Sequence, residues 1–331
     1  MQLIVLGLNH KTAPVEIRER FNFSQDRTVR VLRRLRNNDN LNEAVLLSTC
    51  NRTELYMVLE DPAAGLHFIR TLLRHLAGEQ YKPDYFYNLT GINCVRHLFK
   101  VASSLDSLII GEGQILSQIK NAYHLSRSCG MTDTLFNTLF NRAIAVGKRV
   151  RTETKIAYSS VSVSSAAVDL AIDVVGDLTK ANILVLGAGR MSELTARHLI
   201  DKGAKTIFVS NRNLSHAQEL AEKFNGTAIP YNEFMHQAIT SDIIITSTGA
   251  PHYVITEQGV RDIIPKRSGK PLILVDIAVP RDVDPLVGDI EGVTLYNIDD
   301  LEGVVDMNKN FRSSEAKVAE AIIDEEITAL K

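Results

Sequence analysis

The chain has 331 residues, 45% of them hydrophobic and 23% charged, with no tryptophan and a formal charge of −2. That length and composition predict a globular protein of two domains. Three cysteines (Cys50, Cys94, Cys129), odd in number and far apart, exclude a disulfide-stapled scaffold and point to a reducing compartment.

Met1–Val5 passes directly into a strand pattern without signal-peptide features, and no apolar run reaches the length of a bilayer span. A cytoplasmic protein with no membrane partner is expected. Alternation then predicts a strand over Leu3–Leu8, a helix over about Asp26–Arg36, strands over Ala44–Leu47 and Leu55–Leu59, and a helix over about Ala64–Ala77. This β-α-β-β-α order predicts a ferredoxin-like α+β sheet. Between the second and third strands runs the polar turn Ser48-Thr49-Cys50-Asn51-Arg52-Thr53-Glu54. A thiol attacks as thiolate, and a cation on an accessible turn favours that form. Cys50 beside Arg52 therefore reads as a nucleophile rather than as the small buried hydrophobe that most free cysteines are.

Helices follow over Cys94–Leu105, Gln114–Ser128 and Thr134–Thr152, closing a first domain at residue 155. Cys94 and His97 are three apart, but no further Cys/His cluster completes a metal site, so no metal is expected. The serine-rich stretch Ser159–Ser165 leads straight into apolar Ala166–Val175 and reads as a helix start rather than a flexible linker. Residues 156–300 alternate helices with strands at Asn182–Leu186, Thr206–Ser210, Asp242–Thr246, Leu272–Asp276 and Val293–Tyr296, which predicts a doubly wound parallel sheet. The fold class is thus α/β plus α+β. In residues 301–331, apolar residues from Leu301 to Leu330 recur at helical spacing. One helix of about 30 residues would be about 45 Å long and would pack on another chain or a further segment; two shorter helices folded back are the alternative.

Charge is unevenly divided. Residues 1–155 hold 21 basic against 14 acidic residues, and the rest hold 16 against 25. A basic half carrying a nucleophile suits a polyanionic substrate. Arg27, Arg30, Arg33, Arg34 and Arg36 on one amphipathic helix equally fit a solvated helix face.

The segment Asn182–Leu186 followed by Gly187-Ala188-Gly189-Arg190-Met191-Ser192 is a strand, a Gly-x-Gly turn and a helix start. Gly187 permits the tight turn and Gly189 lets backbone approach a pyrophosphate at the helix N-terminus. Ser192 replaces the third glycine of the fingerprint. The next strand ends in Ser210-Asn211-Arg212, at the distance where an NAD site carries an acid for the ribose 2′-hydroxyl. An arginine there suits the 2′-phosphate of NADP. A surface turn that happens to carry arginine is the alternative.

With these features in place the chain resembles the glutamyl-tRNA reductase family. The resemblance rests on Gly7–Glu19, Ser48–Glu54, His97–Ser107, Gly111–Leu116, Lys148–Thr154 and Val275–Asp282, and it runs in order from residue 5 to about 305. It implies NADPH-dependent conversion of glutamyl-tRNA(Glu) to glutamate-1-semialdehyde, the entry to tetrapyrrole and haem synthesis, through a thioester on Cys50. It implies that His97 acts in proton transfer or carbonyl polarisation, and that Thr49, Asn51, Arg52, Ser107, Glu112, Gly113, Gln114 and Gln118 line the glutamate pocket. It also implies a homodimer and hand-over of the aldehyde to the semialdehyde aminomutase. Three departures stand out. Gly113 takes a usual proline position, Ser192 takes a usual glycine position, and the chain ends within the long helix where relatives continue into a dimerisation domain. Two other readings remain: an NADP oxidoreductase like shikimate dehydrogenase, which gives Cys50 no role, and a silent tRNA-binding paralogue.

Overall fold

The computed structural model describes residues 1–77, 82–108, 111, 113–154, 156, 163–301 and 309–330. The chain divides into two compact units. One joins residues 1–160 to 308–331, and the other holds 161–307.

The first unit is built on a four-stranded antiparallel sheet of β1 (Gln2–Asn9), β2 (Leu41–Ser48), β3 (Arg52–Leu59) and β4 (Tyr87–Thr90). Its order is β2-β3-β1-β4. With α1 (Val15–Arg18) and α2 (Gln25–Leu35) before β2, and α3 (Pro62–Ala77) before β4, this is the expected ferredoxin-like arrangement. The sequence pattern did not reveal β4, which is short and carries Asn88 and Thr90. Both faces of the sheet are covered, and the two-residue period sorts the side chains. Val5, Val45, Leu47, Tyr56 and Val58 face one core with α4 (Gly91–Ala102), α5 (Gln114–Ser128) and α6 (Thr134–Glu153). Ile4, Leu6, Leu8, Ala44, Leu46, Leu55, Met57 and Leu59 face the other core with α2 and α3.

The second unit carries a six-stranded parallel sheet. Its strands are β5 (Asn182–Leu186), β6 (Thr206–Ser210), β7 (Thr227–Ile229), β8 (Ile243–Thr246), β9 (Leu272–Asp276) and β10 (Val293–Asn297). The order β7-β6-β5-β8-β9-β10 is the doubly wound dinucleotide-binding order, with its topological switch between β5 and β8. Helices α7 (Val163–Val175), α8 (Arg190–Asp201), α9 (Leu214–Lys223), α10 (Phe234–Ala238) and α11 (Glu257–Ile263) accompany it.

The end of the chain carries a helix, and the first part of the 30-residue helix expected there falls on residues that are not described. Residues 302–308 lie outside the described residues, and α12 runs over Lys309–Thr328, 20 residues. Instead of waiting for another chain, α12 buries Ala319, Ile322, Ile323 and Ile327 in the core against α4 and α6. Its acidic residues then meet the flanking cations. Glu320 takes Lys100 at 2.7 Å, Glu326 takes Arg142 at 2.6 Å and Arg149 at 2.8 Å, Glu325 takes Arg149 at 2.8 Å, and Asp324 takes Arg96. Part of the basic surplus of the first half is therefore matched within the chain. The four arginines Arg30, Arg33, Arg34 and Arg36 on and after α2 are exposed.

Candidate active site and dinucleotide cleft

In the first unit, Cys50 stands half-exposed in the tight connection between β2 and β3. Thr49 builds that turn: its N–H donates to the Arg52 carbonyl at 2.8 Å, and its Oγ1 accepts the N–H groups of Asn51 and Arg52 at 3.2 and 3.1 Å. Arg18 Nε donates to the Cys50 carbonyl at 3.3 Å, and the His10 N–H donates to the Asn51 carbonyl at 3.0 Å. The thiol's backbone is thus fixed from both sides. Asn51 is buried, and its Oδ1 has no hydrogen-bond partner among the described residues.

Arg52 corrects the sequence reading. It belongs to β3 rather than to the turn, and its guanidinium is only 1% exposed. Nη1 meets Glu54 Oε1 at 2.6 Å and Asp106 Oδ2 at 3.1 Å, while Nη2 donates to the Asp106 carbonyl. Lys11 pairs with the same Asp106. The cation expected to sit beside the thiol and greet an anion is instead spent on two carboxylates. Desolvation opposes its charge, but Glu54 and Asp106 overcome it and hold its pKa above the ordinary arginine value.

Glu54 is the hub of the site. It is fully buried and accepts from Arg52, from Tyr56 Oη at 2.6 Å, from Tyr87 Oη at 2.5 Å, and from His97 Nε2 at 2.8 Å. Burial pushes its pKa up, but Arg52 and the hydrogen bonds win and hold the carboxyl well below the usual range. An ionised Glu54 only accepts, so His97 Nε2 donates and the proton chemistry of the ring falls to Nδ1. Burial, with smaller contributions from Arg52 and Lys11, lowers the His10 imidazole to about 4. Arg52, Glu54 and Tyr56 share one face of β3 at two-residue spacing, a polar column visible in the sequence only if the strand is begun at residue 52.

Gly7 makes room for this hub. It pairs with Glu54 across β1 and β3, and a Cβ at Gly7 would lie 2.7 Å from Glu54 Cγ and 3.1 Å from Tyr87 Oη. Gly7→Ala is expected to destabilise the protein by about 1–3 kcal/mol, read as a lower urea midpoint with unchanged slope.

The other expected pocket residues divide. Ser107 is half-buried and its Oγ lies 3.1 Å from Ser104 Oγ. Glu112 lies outside the described residues. Gly113 caps α5 and its carbonyl accepts from Arg151 Nη1 at 3.1 Å; Gln114 begins α5. Gln118, one turn further, lines a groove of about 510 Å3 between α2 and α5 that also takes in Ser48. Cys94 is fully buried, and burial pushes its thiol up; Cys129 caps the C-terminus of α5.

In the second unit a cleft of about 250 Å3 opens at the carboxyl ends of β5, β6 and β8, lined by Gly187, Ala188, Gly189, Asn211, Arg212 and Tyr231 and by Ser247 to Ala250. Gly187 adopts φ +110°, and a Cβ there would lie 2.4 Å from the Ser247 carbonyl oxygen, so the turn needs glycine twice over. A Cβ on Gly189 would meet nothing within 4 Å, so the backbone before α8 lies open to the cleft. This cradle fits a pyrophosphate. Arg212 donates to His252 Nε2 at 3.1 Å and lies 5.8 Å from the Tyr231 ring centre.

Four residues assigned to the cofactor from sequence do not line this cleft: Arg190, Met191, Ser192 and Ser210. Ser192 and Ser210 are fully buried, Ser192 packing beneath the Gly187 turn and Ser210 giving its carbonyl to the Gly187 N–H at 2.8 Å. The wall from Ser247 to Ala250 was missed, although the rule that ligands bind outside the carboxyl ends of strands at the switch point marks it. Asp282 holds that wall, accepting the Thr248 N–H at 2.7 Å and the Thr248 hydroxyl. Asp276, at the end of β9, accepts the Asp282 and Val283 N–H groups at 2.9 Å, and burial together with Asp282 pushes it up to about 7.

Comparison with known proteins gives two family matches. Residues 6–154 match "Glutamyl-tRNAGlu reductase, N-terminal domain", and residues 169–304 match "Shikimate / quinate 5-dehydrogenase". The chain is 47% identical to the glutamyl-tRNA reductase of Trichlorobacter lovleyi, over 99% of this chain and 76% of that one. It is 45% identical to that of Brevibacillus brevis, over 99% and 73%. The solved glutamyl-tRNA reductase of Methanopyrus kandleri is similar with a TM-score of 0.51 and 36% identity, over 99% of this chain and 79% of that one. The shikimate-dehydrogenase likeness is confined to the second unit.

Proposed function

The chain belongs to the glutamyl-tRNA reductase family, and on that premise we propose that Cys50 takes the glutamyl group from glutamyl-tRNA(Glu) as a thioester that NADPH reduces to glutamate-1-semialdehyde. The enzyme is an oxidoreductase with a nicotinamide cofactor of the NAD(P) type, acting at the entry to tetrapyrrole synthesis. The observation that carries the thioester reading is the placement of Cys50, half-exposed on a turn whose backbone is pinned by Thr49 and Arg18.

The Cys50 thiolate attacks the ester carbonyl, the C–O bond to the tRNA breaks, and the departing 3′ oxygen takes a proton. His97, held through Nε2 by Glu54, supplies or relays that proton at Nδ1. Asn51, with its buried, unpartnered Oδ1, serves the polar groups of the glutamyl moiety, alongside Thr49, Ser107, Gln114 and Gln118. Arg52 acts through Glu54 and Asp106 rather than by contact with the substrate anion. Gly187, Ala188 and Gly189 would hold the pyrophosphate, and Asn211 and Arg212 the 2′-phosphate. When bound, the reduced dinucleotide supplies the hydride that takes the acyl carbon to the aldehyde level. Cys50 then leaves as thiolate and is ready for another turnover. The proposal extends to a cytoplasmic homodimer that passes its labile aldehyde to the semialdehyde aminomutase.

Incubation with glutamyl-tRNA tests the reading: semialdehyde with NADPH, and slow release of free glutamate without it, are expected. A protein that leaves the ester untouched overturns it. For the cofactor, Arg212→Ala is expected to lower the preference for NADPH over NADH by roughly 10- to 100-fold, the weight of hydrogen bonds to a charged group. The ratio of dissociation constants for the two dinucleotides checks this, and an unchanged ratio removes Arg212 from the 2′-phosphate.

A further inference from the structure

We propose that the groove between α2 and α5 seats the single-stranded 3′ end of the tRNA, its terminal adenosine nearest Cys50; this rests on the reading of the substrate given above. The groove is anchored next to the nucleophile. Ser48, two residues before Cys50, lies in its floor with Leu46, and the Phe23 N–H donates to Ser48 Oγ at 2.9 Å. From there it runs along α5 to Ser128 at that helix's C-terminal end, with Gln25 and Thr28 of the first turn of α2 on its other side. The Ala44 N–H donates to the Met131 carbonyl at 2.8 Å, which brings the chain after α5 to the start of β2. Arg36, just past α2, lies 3.5 Å from the position a Cβ would take on Gly130, just past α5.

A groove that starts at Ser48, two residues from the thiol, and leads toward an exposed arginine beyond its far end has the polarity this substrate demands. The glutamyl ester sits on the terminal ribose, so that nucleotide must lie beside Cys50, and the phosphates behind it must lead away toward cations. Arg36 and, one helical turn earlier on α2, exposed Arg33 meet that requirement. The lining suits bases as well. His124 offers an exposed ring on which a base can stack, and Gln25 and Asn121 offer amides for base edges. Gln25, Asn121 and His124 are exposed and carry no load in either core. The cations of α4 and α6 are a poorer choice for this strand, because Arg96, Lys100, Arg142 and Arg149 already pair with α12.

The test compares two uncharged tRNA(Glu) molecules, one intact and one lacking only its 3′ adenosine, in binding to the whole chain and to Asn121→Ala and His124→Ala. The unmodified protein is expected to bind the intact tRNA roughly tenfold more tightly, the weight of one stacked base. Each variant is expected to lose most of that discrimination, while its Cys50 keeps the parental rate of alkylation by iodoacetamide. Arg36→Glu is expected to weaken both tRNAs alike and to flatten the salt dependence of binding. Variants that keep the full discrimination overturn the groove and leave the enzyme reading intact. If the unmodified protein binds neither tRNA, both readings fail together.

Discussion

Replacing Cys50 by serine is expected to lower the rate of semialdehyde formation by at least about 10^3-fold, as for removal of an enzyme nucleophile. A serine hydroxyl at this turn is essentially un-ionised at neutral pH, whereas a thiol ionises within reach of it. An oxygen ester formed on serine would also be no more electrophilic than the tRNA ester it replaced, so the covalent step would gain nothing for reduction. Because Cys50 is half-exposed and its turn is held by backbone bonds, the thermal midpoint should hardly move. With labelled glutamyl-tRNA and no NADPH, the parent protein should carry label through a hydroxylamine-sensitive bond, and the variant none. A serine variant retaining a tenth of the parental rate would remove the thioester from the mechanism.

Glu54→Ala is expected to act on stability and chemistry together. It strips the fully buried Arg52 guanidinium of its shortest ion pair, and breaking such a pair costs about 3–5 kcal/mol. It also leaves the Tyr56 and Tyr87 hydroxyls without their acceptor and frees His97 to rotate. The pH dependence carries a definite sign. The folded state holds Glu54 ionised well below its ordinary value of 4.5, so below that value the unfolded chain binds the proton that the folded chain refuses. The contribution of Glu54 is therefore fully present above about pH 4.5 and fades as the pH falls beneath it. Denaturant midpoints of parent and variant should differ by a constant amount at pH 6–8 and converge in acid. A gap that is unchanged at pH 3 would remove the ionised carboxylate from the account.

Much of this architecture is legible in the sequence because burial writes it twice. In β1 and β5 apolar runs announce strands covered on both faces, and Gly187 announces a turn that no side chain could enter. The active site is less legible for the opposite reason. Arg52, Thr53 and Glu54 look like a polar turn, but Arg52 and Glu54 cancel each other, joined by Asp106 and His97 from far along the chain, and a cancelled charge can enter a strand. The hub needs Asp106, Tyr87, His97 and the absent side chain of Gly7, and no local pattern joins these four positions. Arg190 to Ser192 and Ser210 sit inside the motif, but a motif marks where backbone comes close, not which side chains face the cleft.

The return of α12 to the first unit changes how this gene can be divided. The dinucleotide-binding unit is an insertion, entered and left through two connections, rather than the second bead on a string. A stop codon near residue 300 would not release a tidy two-unit protein. It would take Ile323 and its neighbours out of a finished core and leave Arg96, Lys100, Arg142 and Arg149 to repel one another on an uncovered face. Isolating the thiol-bearing unit therefore calls for two cuts and a splice, with residues 1–160 joined by a linker to 308–331.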